Sequence, residues 1–388
     1  MNPRASVARY ARSPWLWLGV AIRVVVTWSL FRFGADLNDM NEQVLLADLE
    51  LLSGRSPYAK EYTLTILGTS YAYRLSYPPL ALLVYLLPVA VYPVTWGPLQ
   101  FHLPTFLLNA SFTFLTTRLF VGDGTRRLSS AVGWVCWCLP TNAYMEYCSF
   151  YSLVFLLIVL TLRNLNDPFR GLLYATTGVF TYHLLTFLLP VVLFYQVTRL
   201  GRPAPRELER VEAPDLPRSA ARTPAWLLRE AWNCLREDAT PLKEALAGVA
   251  LPLLASLAFI AWDFEGTYAS LVQFQVERFS LESVVQLAIA VGFVVLAGGL
   301  LFVVNPTKAE LFALVAAAVT LFLEAAFLHL FDVTHYAHYY ALAIPAAFVI
   351  VQFVGYQLVV PRKVEKKEAP SPHKTSETAG IPASENAQ

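Results

Sequence analysis

Three stretches of the 388-residue chain hold the acid–base side chains that could do chemistry together. The first holds Asp36, Asp39, Glu42, Asp48 and Glu50 and runs on through GRSPY (54–58) to YPPL (77–80). The second holds Asp263, Glu265, Glu277, Arg278 and Glu282, and the third, HLFDVTHYAHYY, adds His329, Asp332, His335 and His338. A carboxylate within hydrogen-bond reach of a hydroxyl can take its proton as a new bond forms, an effect worth about 10²–10⁴-fold in rate. An arginine stays charged and can hold a phosphate through two parallel N–H donors. Asp36 and Asp39, three apart on a possible helical turn, can also share an oxygen-ligated divalent cation, although two carboxylates do not define such a site. The stretches can act together only if the fold brings them to one place, so the elements between them come next.

With 56% hydrophobic and 15% charged residues, and several apolar runs of the length that crosses about 30 Å of hydrocarbon, the composition predicts an all-α, polytopic membrane protein. A formal net charge of +1 leaves no basic face for a nucleic-acid partner. Cys136, Cys138, Cys148 and Cys234 show neither zinc spacing nor the density of a disulfide framework. The first apolar run, Trp15 to Phe33, follows Arg4, Arg9 and Arg12 and lacks a small-residue cleavage site, so it reads as a first span rather than a cleaved signal. Further apolar stretches lie near 98–121, 128–142, 149–163, 171–198, 242–262, 283–304, 310–330 and 337–360.

Sidedness follows from the preference of Lys and Arg for cytoplasmic loops. If the run at 74–93 crosses, Arg118, Arg126 and Arg127 fall outside. If it lies on the outer surface, they face the cytoplasm. Returning the segment 199–241, with its eight arginines, to the cytoplasm further requires 171–198 to be a down-and-back pair of short helices turning near His183. That scheme leaves only Arg32, Arg55, Lys60, Arg74 and Arg278 outside, with Arg23 inside the first span. It gives about ten transmembrane helices in one domain over 1–360, both termini cytoplasmic, an outer loop at 34–97 and a disordered tail at 361–388. A single tilted helix at 171–198 is the alternative. Within the outer loop, 39–52 has helical spacing of Val44, Leu45, Leu51 and Leu52 with a stop at Gly54 and Pro57. The segment AWLLREAWNCLRE (225–237) suits an interfacial amphipathic helix. Arg23 and Glu324 inside spans suggest a buried pair or polar lining that sequence cannot assign, and Glu146 and Tyr144, at the outer end of the 128–142 span, are additional cavity candidates with no motif behind them.

A carboxylate just beyond the first span, about fifteen residues before a G-x-x-P-Y turn, then a Tyr-Pro-Pro-Leu surface helix, resembles the C-type integral membrane glycosyltransferases. The nearest likeness is to the polyprenyl-phosphate-mannose-dependent mannosyltransferases. Further agreement comes from a helix hairpin with His183 at its tip and Pro190 on its return leg, from Arg278 followed by Glu282 and Ser283, and from the His335 to Pro345 entry to a late span. The resemblance covers roughly residues 15–360. It implies transfer of a hexose, mannose first, from a polyprenyl-phosphate donor to a lipid or glycan acceptor at the outer face of the plasma membrane, with inversion at the anomeric carbon.

In that reading Asp39 is the base, with Asp36 one turn earlier as its rival. Arg278 and His183 hold the donor phosphate, whose charge grows as the glycosidic bond breaks. Tyr58, Tyr77, Glu282, His335 and His338 are substrate-binding candidates, and no cofactor beyond a divalent cation is implied. His183 departs from the family's usual lysine, and an imidazole with a pKa near about 6.5 donates a hydrogen bond without always carrying charge. The plainer alternatives are solvated loop carboxylates, an Arg278 paired to Glu277 or Glu282, and interfacial aromatic-belt roles for the tyrosines and histidines. As whole-protein alternatives stand a transporter or lipid flippase, for which no internal repeat is found, and a non-catalytic subunit of a glycosylation complex.

Overall fold

The computed structural model describes residues 10–33, 40–66, 69–95, 101–121, 127–164, 167–182 and 224–273, with isolated positions between 189 and 197. Within them the chain is mostly helical. Helix α1 (Pro14–Phe33) is apolar nearly all round. Trp15, Trp17, Val24, Val25 and Trp28 stay exposed while Gly19, Arg23 and Leu30 are buried, so one narrow stripe faces protein and the rest suits lipid. Near the other end of the described chain, α10 (Thr240–Trp262) repeats the plan, burying Gly248, Pro252 and Ser256 and exposing Leu246, Leu251 and Leu254. Among the described residues these two helices are long and apolar enough to cross a bilayer. A third candidate is the bent pair Asn142–Cys148 and Tyr151–Thr161, which turns by 115°. The expected spans at 283–304, 310–330 and 337–360 lie outside the described residues.

The chain between α1 and α4 (Leu103–Val121) forms a cap. A π-helical stretch (Met40–Leu45) runs into α2 (Leu46–Leu52) and stops at Gly54, whose φ of 73° suits a residue without Cβ. Backbone N–H groups of Ser53, Gly54 and Arg55 turn back to the carbonyls of Leu49, Leu51 and Glu50. Next comes a departure from the all-α expectation: β1 (Glu61–Ile66) and β2 (Thr69–Arg74) pair antiparallel, with Tyr62 opposite Tyr73 and Ile66 opposite Thr69. Alternating Thr, Tyr, Leu and Ile residues favour an extended ribbon here over a helix.

Helix α3 (Pro79–Val91) opens with proline at its first turn and, at about 1.5 Å per residue, is about 20 Å long, short of the hydrocarbon thickness. Its attachments show how it lies. The Leu80 N–H donates to the Phe180 carbonyl (3.0 Å), at the end of α8 (Pro168–Val179). The Tyr85 hydroxyl donates to Asn109 Oδ1 (2.6 Å), in the second turn of α4 (Leu103–Val121), and Tyr92 just beyond α3 accepts from His102 Nε2. Both ends of α3 therefore meet one end of the helical bundle, and the helix lies across that end.

The expected single stretch at 128–142 is two helices, α5 (Arg127–Cys138) and α6 (Pro140–Cys148). Pro140 lacks an N–H and forces Leu139 into an extended conformation (φ −71°, ψ 122°), and the Asn142 side chain donates to the Cys136 carbonyl left without a helical partner (2.7 Å). After the turn at Ser149 and Phe150, α7 (Tyr151–Arg163) runs back. At the end opposite the cap, Arg163 Nη1 donates to the Leu119 carbonyl (2.7 Å), which puts Arg118 and Arg163 at the same end of the bundle. Asp167 then caps α8 through the Arg170 N–H (2.9 Å).

Helix α10, two turns along from its start, meets the first turn of α8 so closely that a Cβ at Gly248 would lie 2.5 Å from the Phe169 carbonyl oxygen. Gly248→Ala is therefore expected to lower stability by about 1–3 kcal/mol, because backbone cannot yield as a side chain can. Thermal unfolding in detergent, with the exposed Leu246→Ala as control, checks it.

Candidate functional site

The centre of the cap end is a cluster of tyrosines that ties four distant stretches together. Tyr58, 1% exposed, donates its hydroxyl to the Tyr77 carbonyl (2.9 Å), and Tyr62 donates to the Pro57 carbonyl (2.9 Å). The Tyr77 ring meets Phe150 edge-on with centroids 4.6 Å apart, and Tyr182 meets the same Phe150 at 5.7 Å. Tyr151 and Tyr182 share a hydroxyl–hydroxyl hydrogen bond of 3.2 Å. From the chain beyond α10, Ser270 Oγ donates to the Tyr58 carbonyl (3.2 Å). Val44, Ala47, Leu75, Leu82 and Tyr85 of the cap belong to one hydrophobic core with Met145, Leu153, Leu157 and Leu172 of the bundle.

Most of the predicted site residues, namely Asp36, Asp39, His183, Arg278, Glu282, His335 and His338, lie outside the described residues, and so does the cation that Asp36 and Asp39 could share. The chain beside three of them is described. Met40 follows Asp39, Tyr182 precedes His183, and Gln273 stands five residues before Arg278. Of these, Tyr182 belongs to the tyrosine cluster, and Val44 and Ser270, four residues after Met40 and three before Gln273, pack or bond within the same core. Tyr58 and Tyr77, expected to meet substrate, are core residues here, and the Tyr58 hydroxyl is already donated. Neither sits in an exposed aromatic belt.

Two groups named from sequence take places that the residues did not assign. The first is Asp48 on α2, which is fully buried with neither carboxylate oxygen hydrogen-bonded among the described residues. Removal from water pushes its pKa up to about 9, so at neutral pH it is a carboxylic acid. The same burial, with the Asp48 charge as a lesser cause, raises the hydroxyls of Tyr58 and Tyr62 above the ordinary tyrosine range. Glu50, two residues on, behaves oppositely: hydrogen bonds from Arg55 (2.5 Å) and Lys60 (2.8 Å) hold it below the usual carboxylate range. The signal for Asp48 was in its register, because it stands four residues from Val44 and from Leu52, on the apolar side of the helix.

The second group is an ion pair. Arg23 meets Glu146 through Nε–Oε2 (2.7 Å) and Nη2–Oε1 (2.5 Å), and both residues are buried. Arg23 Nη1 also donates to the carbonyls of Gly19 (3.0 Å) and Trp137 (2.8 Å), and the guanidinium lies 3.6 Å from the Trp137 ring centroid. Gly19 makes this possible, since a Cβ there would sit 2.1 Å from the Trp137 ring nitrogen. The Glu146 backbone carbonyl in turn accepts from Asn109 Nδ2 (2.9 Å), which also donates to the Ser149 carbonyl (3.0 Å).

No family model, curated protein or solved structure matches this chain.

Two outcomes follow from these groups. Between about pH 4 and about pH 9 the folded chain keeps the Asp48 proton that the unfolded chain has lost, so stability falls as pH rises through that window, by up to about 1.4 kcal/mol per pH unit, and then levels off. Asp48→Asn should flatten that slope and raise the unfolding midpoint above neutral pH, as read by thermal unfolding across the window. Arg23→Met or Glu146→Leu alone should each cost about 3–5 kcal/mol by stranding a buried charge, whereas the double substitution should recover much of it. A double-mutant cycle in detergent measures the difference.

Proposed function

We propose that the chain is an inverting, membrane-embedded glycosyltransferase. It moves a hexose, mannose first, from a polyprenyl-phosphate donor to a lipid-linked or other hydroxyl acceptor at the outer face of the plasma membrane. The proposal includes about ten spans, the two termini in the cytoplasm and the cap end outside. The observation that carries it is the meeting of Tyr58, Tyr77, Tyr182 and Ser270 at one end of the bundle. The outer-loop segment, the chain just before His183 and the chain eight residues before Arg278 meet there, which supports a reaction needing a base and an anion holder together.

In this reaction the carboxylate of Asp39, with Asp36 as alternative, takes the acceptor's hydroxyl proton as the new bond to the anomeric carbon forms. The old bond to the phosphate oxygen breaks from the opposite face, and its electron pair leaves with the polyprenyl phosphate. Arg278 holds the charge that grows there and His183 donates a hydrogen bond to it. The polyprenyl tail stays in lipid and needs no enclosed pocket.

Purified protein incubated with radiolabelled polyprenyl-phosphate-mannose and a membrane lipid extract should transfer label to lipid. Asp39→Asn or Asp36→Asn should lower the rate about 10²–10⁴-fold. Absence of transfer from every polyprenyl donor tried would overturn the proposal. So would labelling of single cysteines at positions 39 and 278 by impermeant thiol reagents from opposite faces.

A further inference from the structure

Helix α9 (Pro224–Glu237) packs against the bundle on one side, where Ala231 is buried. Two large apolar residues one turn apart, Leu228 (60% exposed) and Trp232 (69% exposed), point away from it. Around the rest of the helix Arg229, Asn233, Arg236 and Glu237 are exposed. An apolar pair of this size left in water has lost the free energy that burial would supply, about 25 cal/mol for each Å² covered.

The neighbouring helix says what lies beside that pair. Exposed apolar residues on α10 run from Leu242 to Trp262, a rise of about 30 Å, equal to the hydrocarbon thickness. Exposed Lys243 and Glu244 mark the start of this band as the water interface. Only Asp238 and Ala239 separate α9 from α10, with Asp238 Oδ1 accepting the Thr240 N–H (2.9 Å). The lipid boundary therefore falls about one helical turn beyond the end of α9, which places the exposed apolar pair of α9 close to that boundary.

We infer that α9 lies in the membrane interface at the end opposite the cap, with Leu228 and Trp232 inserted among the lipids at the level where the acyl chains begin. Its partner is the bilayer surface. The charges of α9 balance, Arg229 and Arg236 against Glu230 and Glu237, so the attachment rests on apolar contact and needs no anionic headgroup. Held this way, α9 fixes the depth of α10, whose far end leads to Ser270 and the tyrosine cluster. The inference depends on α10 crossing the bilayer and not on the proposed transfer reaction.

The test places nitroxide labels on the full chain in nanodiscs of zwitterionic lipid, after Cys138→Ser and Cys234→Ser, at Leu228→Cys, Trp232→Cys, Asn233→Cys and Glu237→Cys in turn. Labels at 228 and 232 should collide with oxygen and be shielded from a water-soluble nickel chelate. Labels at 233 and 237 should show the reverse, with the pattern unchanged between low and high salt. Nickel reaching 228 and 232 as readily as 233 would put the face in water, and shielding of 228 and 232 from both reagents would put protein over it. Either result, or loss of the pattern at high salt, overturns the inference.

Discussion

A guanidinium and a carboxylate buried among apolar helices hold only as a pair, and the Arg23–Glu146 contact sets how much else is arranged. Arg23 needs four acceptors and finds them on α1 itself, on α5 and on α6, which fixes Gly19 against Trp137. The Glu146 backbone carries the connection to Asn109 of α4, and Asn109 carries it to Tyr85 of α3. One continuous polar chain thus runs from the interior of the first span to the helix lying across the bundle's end. The Pro140 break belongs to the same arrangement, since it separates Trp137, which closes over Arg23, from Glu146, which pairs with it.

Around this chain, the cap and bundle share a core instead of meeting as separate bodies. Tyr58, Tyr62, Tyr77, Tyr85, Tyr151 and Tyr182 fill it with rings whose polar tips are satisfied locally. Asp48 differs from these rings, a buried carboxyl neither of whose oxygens has a hydrogen-bond partner among the described residues. It destabilises the fold at neutral pH relative to an uncharged residue, and perturbed acids of this kind gather at functional sites more often than elsewhere. The surfaces turned to lipid on α1 and α10 carry none of this chemistry.

Much of this was legible in the residues. The length and apolarity of α1 and α10 marked two candidate spans, and the apolar positions of 225–237 marked α9. Gly54 marked the end of α2. The β1–β2 ribbon was also written there, in two alternating runs with only Leu67 and Gly68 between them, but the all-α class masked it. The partner of Arg23 could not be read, because Glu146 is 123 residues away and nothing local marks the pairing. The split at Pro140 was legible in principle, since proline inside an apolar run breaks the helix at the residue before it. The burial of Tyr58 and Tyr77 was not, because an aromatic residue near a span end reads equally as belt, core or sugar platform.

The contact between Ser270 and Tyr58 closes a separation of 212 residues, and it bears on how the molecule is made. During synthesis the loop between α1 and α4 emerges long before the segment that bonds its central tyrosine. Until that segment is made, the loop has its own ribbon and helix and its attachments to α4 and α8, which already shorten the gap that the serine contact must close. The serine tether thus belongs to a later stage in the life of the nascent polypeptide than the loop it holds.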